Sequence, residues 1–164
     1  MFHPIQPNNF SLNRFSKRVF AILGLALTVT PALYGAIGFQ PVTAHQVETS
    51  GNVGATIHIE PNDRPRAGTP SLVWFALVKR GGQAIPLSDC NCALSIYTQP
   101  QQSGDRPIQQ PALQATSAAG RANLPSATVT FPRAGTYEVV LRGSSKTPGA
   151  FNPFQLSYTV TIAQ

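Results

Sequence analysis

The sequence predicts an all-β chain, an antiparallel β-sandwich of about seven strands preceded by a signal peptide. Three observations predict it. Short runs of alternating apolar residues recur between residues 53 and 162, clusters of turn formers separate them, and no stretch beyond residue 44 has helical periodicity. The length, 164 residues, suits one domain and is short for two.

The first element is the signal. "NRFSKRVF" supplies Arg14, Lys17 and Arg18, and "VFAILGLALTV" then runs apolar from Val19 to Val29. A basic flank followed by an apolar run of about 7–15 residues is the secretory pattern. Val42 and Ala44 are small residues at the third and first positions before a cut between Ala44 and His45. The alternative is an uncleaved anchor, because no charge interrupts Val19 to Phe39 and about 20 apolar residues span a bilayer. Either way residues 45–164 are exported to a periplasmic, lumenal or extracellular space, and contact with a membrane is confined to the N-terminal segment.

The strands follow in order. "VGATIHIE" (53–60) places Val53, Ala55, Ile57 and Ile59 on one face and Thr56, His58 and Glu60 on the other. "PNDRPRAG" (61–68) ends it with turn formers, and its Glu60, Asp63, Arg64 and Arg66 read as a solvated turn. "SLVWFALVK" (71–79) is apolar on both faces, which makes it a central strand with Trp74 as the expected core anchor. "CALSIYT" (92–98) alternates, with Cys92, Leu94 and Ile96 together. Residues 99–125 are rich in Gln, Pro, Ala and Ser, and a short edge strand blunted by Pro111 is expected within "IQQPALQA" (108–115). "ATVTF" (127–131), "TYEVVLRG" (136–143) and the strictly alternating 154–162 complete the set.

"PRAGTYEVVL" resembles the corner and penultimate strand of immunoglobulin-like and fibronectin-like domains, with Tyr137 in the tyrosine-corner position. The resemblance implies an immunoglobulin-like sandwich. Antibody-type domains differ, since no two cysteines here are spaced to bridge the sheets.

Charge excludes one class of function. Three of the twelve Lys/Arg residues and none of the six acids lie in residues 1–44, so the exported part holds nine bases and six acids, a net +3. No Lys/Arg cluster with interleaved aromatics exists, which argues against nucleic acid as a partner. Enzyme chemistry finds no carrier either. The exported part has two histidines, His45 and His58, and lacks a His-Glu-x-x-His motif, a Gly-rich phosphate loop and a serine elbow. The expectation is a non-enzymatic binding module.

The candidate site is "DCNC", with Cys90 and Cys92 separated by one residue. Three readings stay open: a metal site, a local disulfide, and inert or intermolecular thiols. Residues i and i+2 of a regular strand lie about 6–7 Å apart, so a direct bond is expected to need a turn at Asp89–Asn91 and to be labile. Two thiolates instead suit a soft ion, copper first, with His58 and His45 as further ligands. A chain beginning at His45 would add an amine and an imidazole that chelate Cu(II) together.

On His45 and the architecture the chain resembles the periplasmic CopC copper-binding family, which implies a copper site in an exported sandwich. That family's second His and its Asp come from later in the domain, whereas the other His here, His58, comes early. "VGATIHIEPNDRPRAG" and "DCNC" also resemble small exported proteins of cyanobacterial type, which implies a periplasmic or lumenal home. The alternative to a metal is a protein partner. Phe151, in "SSKTPGAFNPF" (144–154), has no strand partner and is the candidate contact, or else a cap on the sandwich.

Overall fold

A computed structural model describes residues 46–164. The expected signal, anchor and cleavage point, and His45 itself, lie outside the described residues.

Among the described residues eight strands form two antiparallel sheets. They are β1 (Val47–Ser50), β2 (Val53–Ile59), β3 (Pro70–Lys79), β4 (Cys90–Thr98), β5 (Gln114–Ala118), β6 (Arg121–Thr130), β7 (Gly135–Ser145) and β8 (Phe154–Ile162). One sheet has the order β1-β2-β3-β6-β5 and the other β4-β7-β8. With β2 taken as the first strand, this is the arrangement of a constant-type immunoglobulin sandwich, and β1 is an added edge strand.

The alternation in the sequence decides which faces meet. Val53, Ala55, Ile57 and Ile59 of β2 are buried against Leu156, Tyr158, Val160 and Ile162 of β8 and their neighbours in one core. Phe75 and Tyr158 meet across it at 5.8 Å. The Tyr158 hydroxyl donates to the Ala55 carbonyl at 2.9 Å, so the one polar atom of that side chain is satisfied from the opposite sheet. Tyr137 makes the corner bond, its hydroxyl donating to the Arg133 carbonyl at 2.8 Å, with its ring 5.0 Å from Phe131.

Two placements differ from expectation. Trp74 is buried but belongs to the outer face of the five-stranded sheet, outside the main core. It follows the core residue Val73 and precedes the core residue Phe75, and the pleat sends it the other way. The edge strand β5 lies at 114–118, beyond Pro111, while residues 108–109 make only an isolated bridge to Ile96. Pro111 cannot donate to a ladder, and the strand begins once it is passed.

The β5–β6 hairpin is bent. Its register shifts between Thr116 and Ala118, Ala119, Gly120 and Asn123 have φ of 49°, 72° and 58°, and its pairing with β3 stops at Trp74↔Ser126. The next β6 residue is Pro125, which has no N–H to offer Phe75. The tip is thereby released from the sheet.

The buried phenol predicts an alkaline limit. Burial first, and the Glu48 carboxylate second, raise the Tyr158 pKa above the ordinary tyrosine value of about 10. Above that pH the unfolded chain sheds a proton that the folded chain keeps, so rising pH favours unfolding. Urea titrations are expected to show stability independent of this group up to about pH 10 and falling beyond it. Tyr158→Phe should reduce that fall and cost about 1 kcal/mol at neutral pH through the lost bond to Ala55.

Candidate functional site

The β1–β2 turn, the β3–β4 connection and the β7–β8 loop meet at one end of the sandwich. The Arg80 N–H donates to the Asn52 carbonyl at 2.8 Å, the Asn152 N–H to the Asn52 Oδ1 at 2.9 Å, and the Lys146 N–H to the Asp89 carbonyl at 3.0 Å. A single 3-10 turn, Leu87–Asp89, delivers the chain from that end into β4 at Cys90.

Cys90 and Cys92 are bonded to each other, with their Cα atoms 5.2 Å apart. The expected turn is absent. Cys90 pairs with Ser145, Asn91 with Ser144 and Cys92 with Gly143, so the segment keeps its ladder to β7 and contracts along the strand. The reach from about 6.6 Å in a regular strand to 5.2 Å is closed by pleating rather than by leaving the sheet. Both sulfurs lie on the core side, Cys90 buried at 3 % exposure and Cys92 half-buried against the core.

The residue opposite must be small. A Cβ on Gly143 would come within 2.6 Å of Phe154 Cζ and 2.7 Å of Cys90 Sγ. Phe151 then closes the corner. It is 4 % exposed, its ring is 6.1 Å from that of Phe154, and both belong to the main core. Phe151 is therefore the cap and not an exposed contact for a partner. The loop carries it back over the end of the sandwich, where burial of an aromatic ring outweighs the ordering of a short loop.

His58 does not join the cysteines. It stands on the outer face of β2 with its ring stacked on Trp74, the centroids 3.9 Å apart and the planes at 12°. The cysteines lie on the inner side of the other sheet, and the full core separates the two positions. Among the described residues no group of three or more His, Cys, Asp and Glu side chains is placed to hold a metal ion. The turn acids also find other work: Glu60 accepts the Trp74 indole N–H at 3.4 Å, and Asp63 Oδ1 accepts the Ile59 N–H at 2.7 Å.

A second concavity was not foreseen. The released tip of the β5–β6 hairpin brings Ala119 and Arg121 to the outer face of β2 and β3, where they line a cleft of about 310 Å³ with His58, Trp74, Thr56 and Ala76. Val47 of the edge strand forms a further wall and is 64 % exposed. The local signals were the Ala119-Gly120 pair and Pro125, but the juxtaposition joins segments more than 40 residues apart and leaves no periodic trace.

The sequence matches no protein-family model and no curated protein. Among solved structures it is similar to a DUF4426 family protein from Pseudomonas aeruginosa PAO1, with a TM-score of 0.51 and 12% identity over 73% of this chain and 94% of that one. It is also similar to FetP of uropathogenic E. coli strain F11, crystallised as isolated after expression in the E. coli periplasm, with a TM-score of 0.50 and 13% identity over the same shares. The likeness is one of fold. It does not reach the copper site or the cyanobacterial resemblance. Among the described residues no helix is long and apolar enough to cross a membrane.

The corner predicts two stability losses. Phe151→Ala is expected to cost about 3–5 kcal/mol by leaving a cavity beside Phe154. Gly143→Ala should cost about 1–3 kcal/mol by overpacking against the ring and the sulfur. Denaturant midpoints of the sandwich domain measure both, and a loss under about 0.5 kcal/mol (the scatter of surface substitutions) would contradict the packing described.

Proposed function

We propose that the chain works outside the cytoplasm as a non-enzymatic binding module of immunoglobulin-like architecture, its two cysteines forming a local disulfide. The observation that carries this reading is the bonded pair itself, with Cys90 in the core and the strand ladder intact around it. Disulfides persist in oxidising compartments, and this accords with the secretory pattern of residues 1–44. Sulfur bonded to sulfur offers no thiolate to a metal ion or to a substrate, so the work left to the domain is recognition through its surface.

The copper reading needs both thiols free. Reduced, the pair would present two soft ligands on one side of β4, suited to Cu(I), with His58 too distant in the fold to assist. The two readings part in one experiment. Native intact-mass spectrometry of the exported protein, isolated without added thiol, is expected to find a mass two hydrogens below the dithiol form and no uptake of added copper. One copper per monomer, lost on C90S/C92S substitution, would overturn the disulfide reading. The same mass fixes the N-terminus and so tests the cut between Ala44 and His45.

A further inference from the structure

We propose that the cleft between the outer face of β2–β3 and the β5–β6 turn binds a small aromatic carboxylate. This rests on reading the domain as a binding module, at a place apart from the cysteines.

The hairpin is bent by several independent devices within nine residues. A bulge interrupts β5 at Ser117, Ala119 and Gly120 both take positive φ, Asn123 takes a third, and Pro125 ends the pairing with β3. A two-residue turn with positive φ at both positions suits the twist of a hairpin, but Asn-Gly or Gly-Gly makes it without strain. Ala119 holds φ at 49° with a Cβ, a conformation that costs about 1–2 kcal/mol. Such outliers persist where the surroundings impose them, and they concentrate at ligand clamps. Here the bend turns the tip inward, and the strained residue lines the cleft with its neighbour Arg121.

The lining selects the ligand. Two stacked aromatic rings, His58 on Trp74, stand on one side. The methyl groups of Ala76, Thr56 and Val47 complete a surface suited to a flat apolar body. Arg121 is exposed at the mouth and is the cation of the site, while no acidic side chain lines it. Glu60, two residues beyond His58, is not among the lining residues and accepts the Trp74 indole N–H at 3.4 Å. A guanidinium presents a planar fork that matches a carboxylate in two hydrogen bonds. A single arginine does not match the several charges of a nucleotide, and about 310 Å³ lies at the small end of ligand pockets. One ring bearing one carboxylate fits the volume, the apolar surface and the charge together.

Trp74 is the sole tryptophan of the chain, so its fluorescence reports this cleft alone. The test titrates benzoate into the exported domain, with benzylamine as a probe of equal shape and opposite charge. The expected result is a saturable change in Trp74 emission with benzoate, none with benzylamine, and about tenfold weaker binding in Arg121→Gln, the size of one charge-assisted pair. Arg121 is exposed, and an unchanged thermal midpoint confirms that the variant is folded. No saturable response up to about 20 mM benzoate, an equal response to benzylamine, or equal binding by Arg121→Gln would each overturn the proposal. Failure here is distinct from failure of the disulfide reading, which the mass measurement decides independently of benzoate.

Discussion

Tyr158 spans the sandwich. Its ring packs on Phe75 of the opposite sheet, and its hydroxyl reaches the Ala55 carbonyl of β2. Around that link the inner faces of β2, β3, β7 and β8 are filled by aliphatic and aromatic side chains, with no charged group among them. Such an interior keeps polar groups to the outer faces and the loop ends, apart from the bonded Tyr158 hydroxyl and the buried Ser71 hydroxyl, unpartnered among the described residues. The separation of His58 from the cysteines follows from it. They occupy opposite sides of the same apolar layer, and no side-chain rotation carries one through to the other.

The strands were legible in the sequence where one face is apolar and the other polar. β2 and β8 alternate without exception, and their buried residues are the ones the alternation marks. Tyr137 was legible because a local arrangement, the hydroxyl reaching back four residues to Arg133, defines it. β3 reads as a strand but not with Trp74 on its outer face, since a run that is apolar on both sides holds no alternation from which to read direction. β1 and the first half of β6 each carry a single large apolar residue, Val47 and Leu124, too few to show an alternation, and their hydrogen-bonded neighbours make them strands.

The candidate sites were harder for a related reason. The sequence shows that Cys90 and Cys92 are close along the chain, and ideal strand geometry argues against a direct bond between them. What ideal geometry leaves out is the partner strand. Gly143 across the ladder removes a side chain, and the space lets the β4 backbone contract and lets the Cys90 sulfur settle beside Phe154. Whether Phe151 is a contact or a cap is likewise open in the sequence. A loop residue has no periodicity, and the pocket that receives it is built from β4, β7 and β8 together.

Gly143 has a longer reach than its size suggests. Cys90, Phe154 and the missing side chain at 143 share one volume, and whatever occupies part of it is withheld from the others. A larger residue at 143 makes a clash, and a smaller one at 90 or 154 opens a void. The disulfide is thus tied in space to a glycine in another strand and a ring in a third. Removing the sulfur alone would leave Phe154 Cζ 2.6 Å from any Cβ at 143, so the ring by itself still holds that position to glycine.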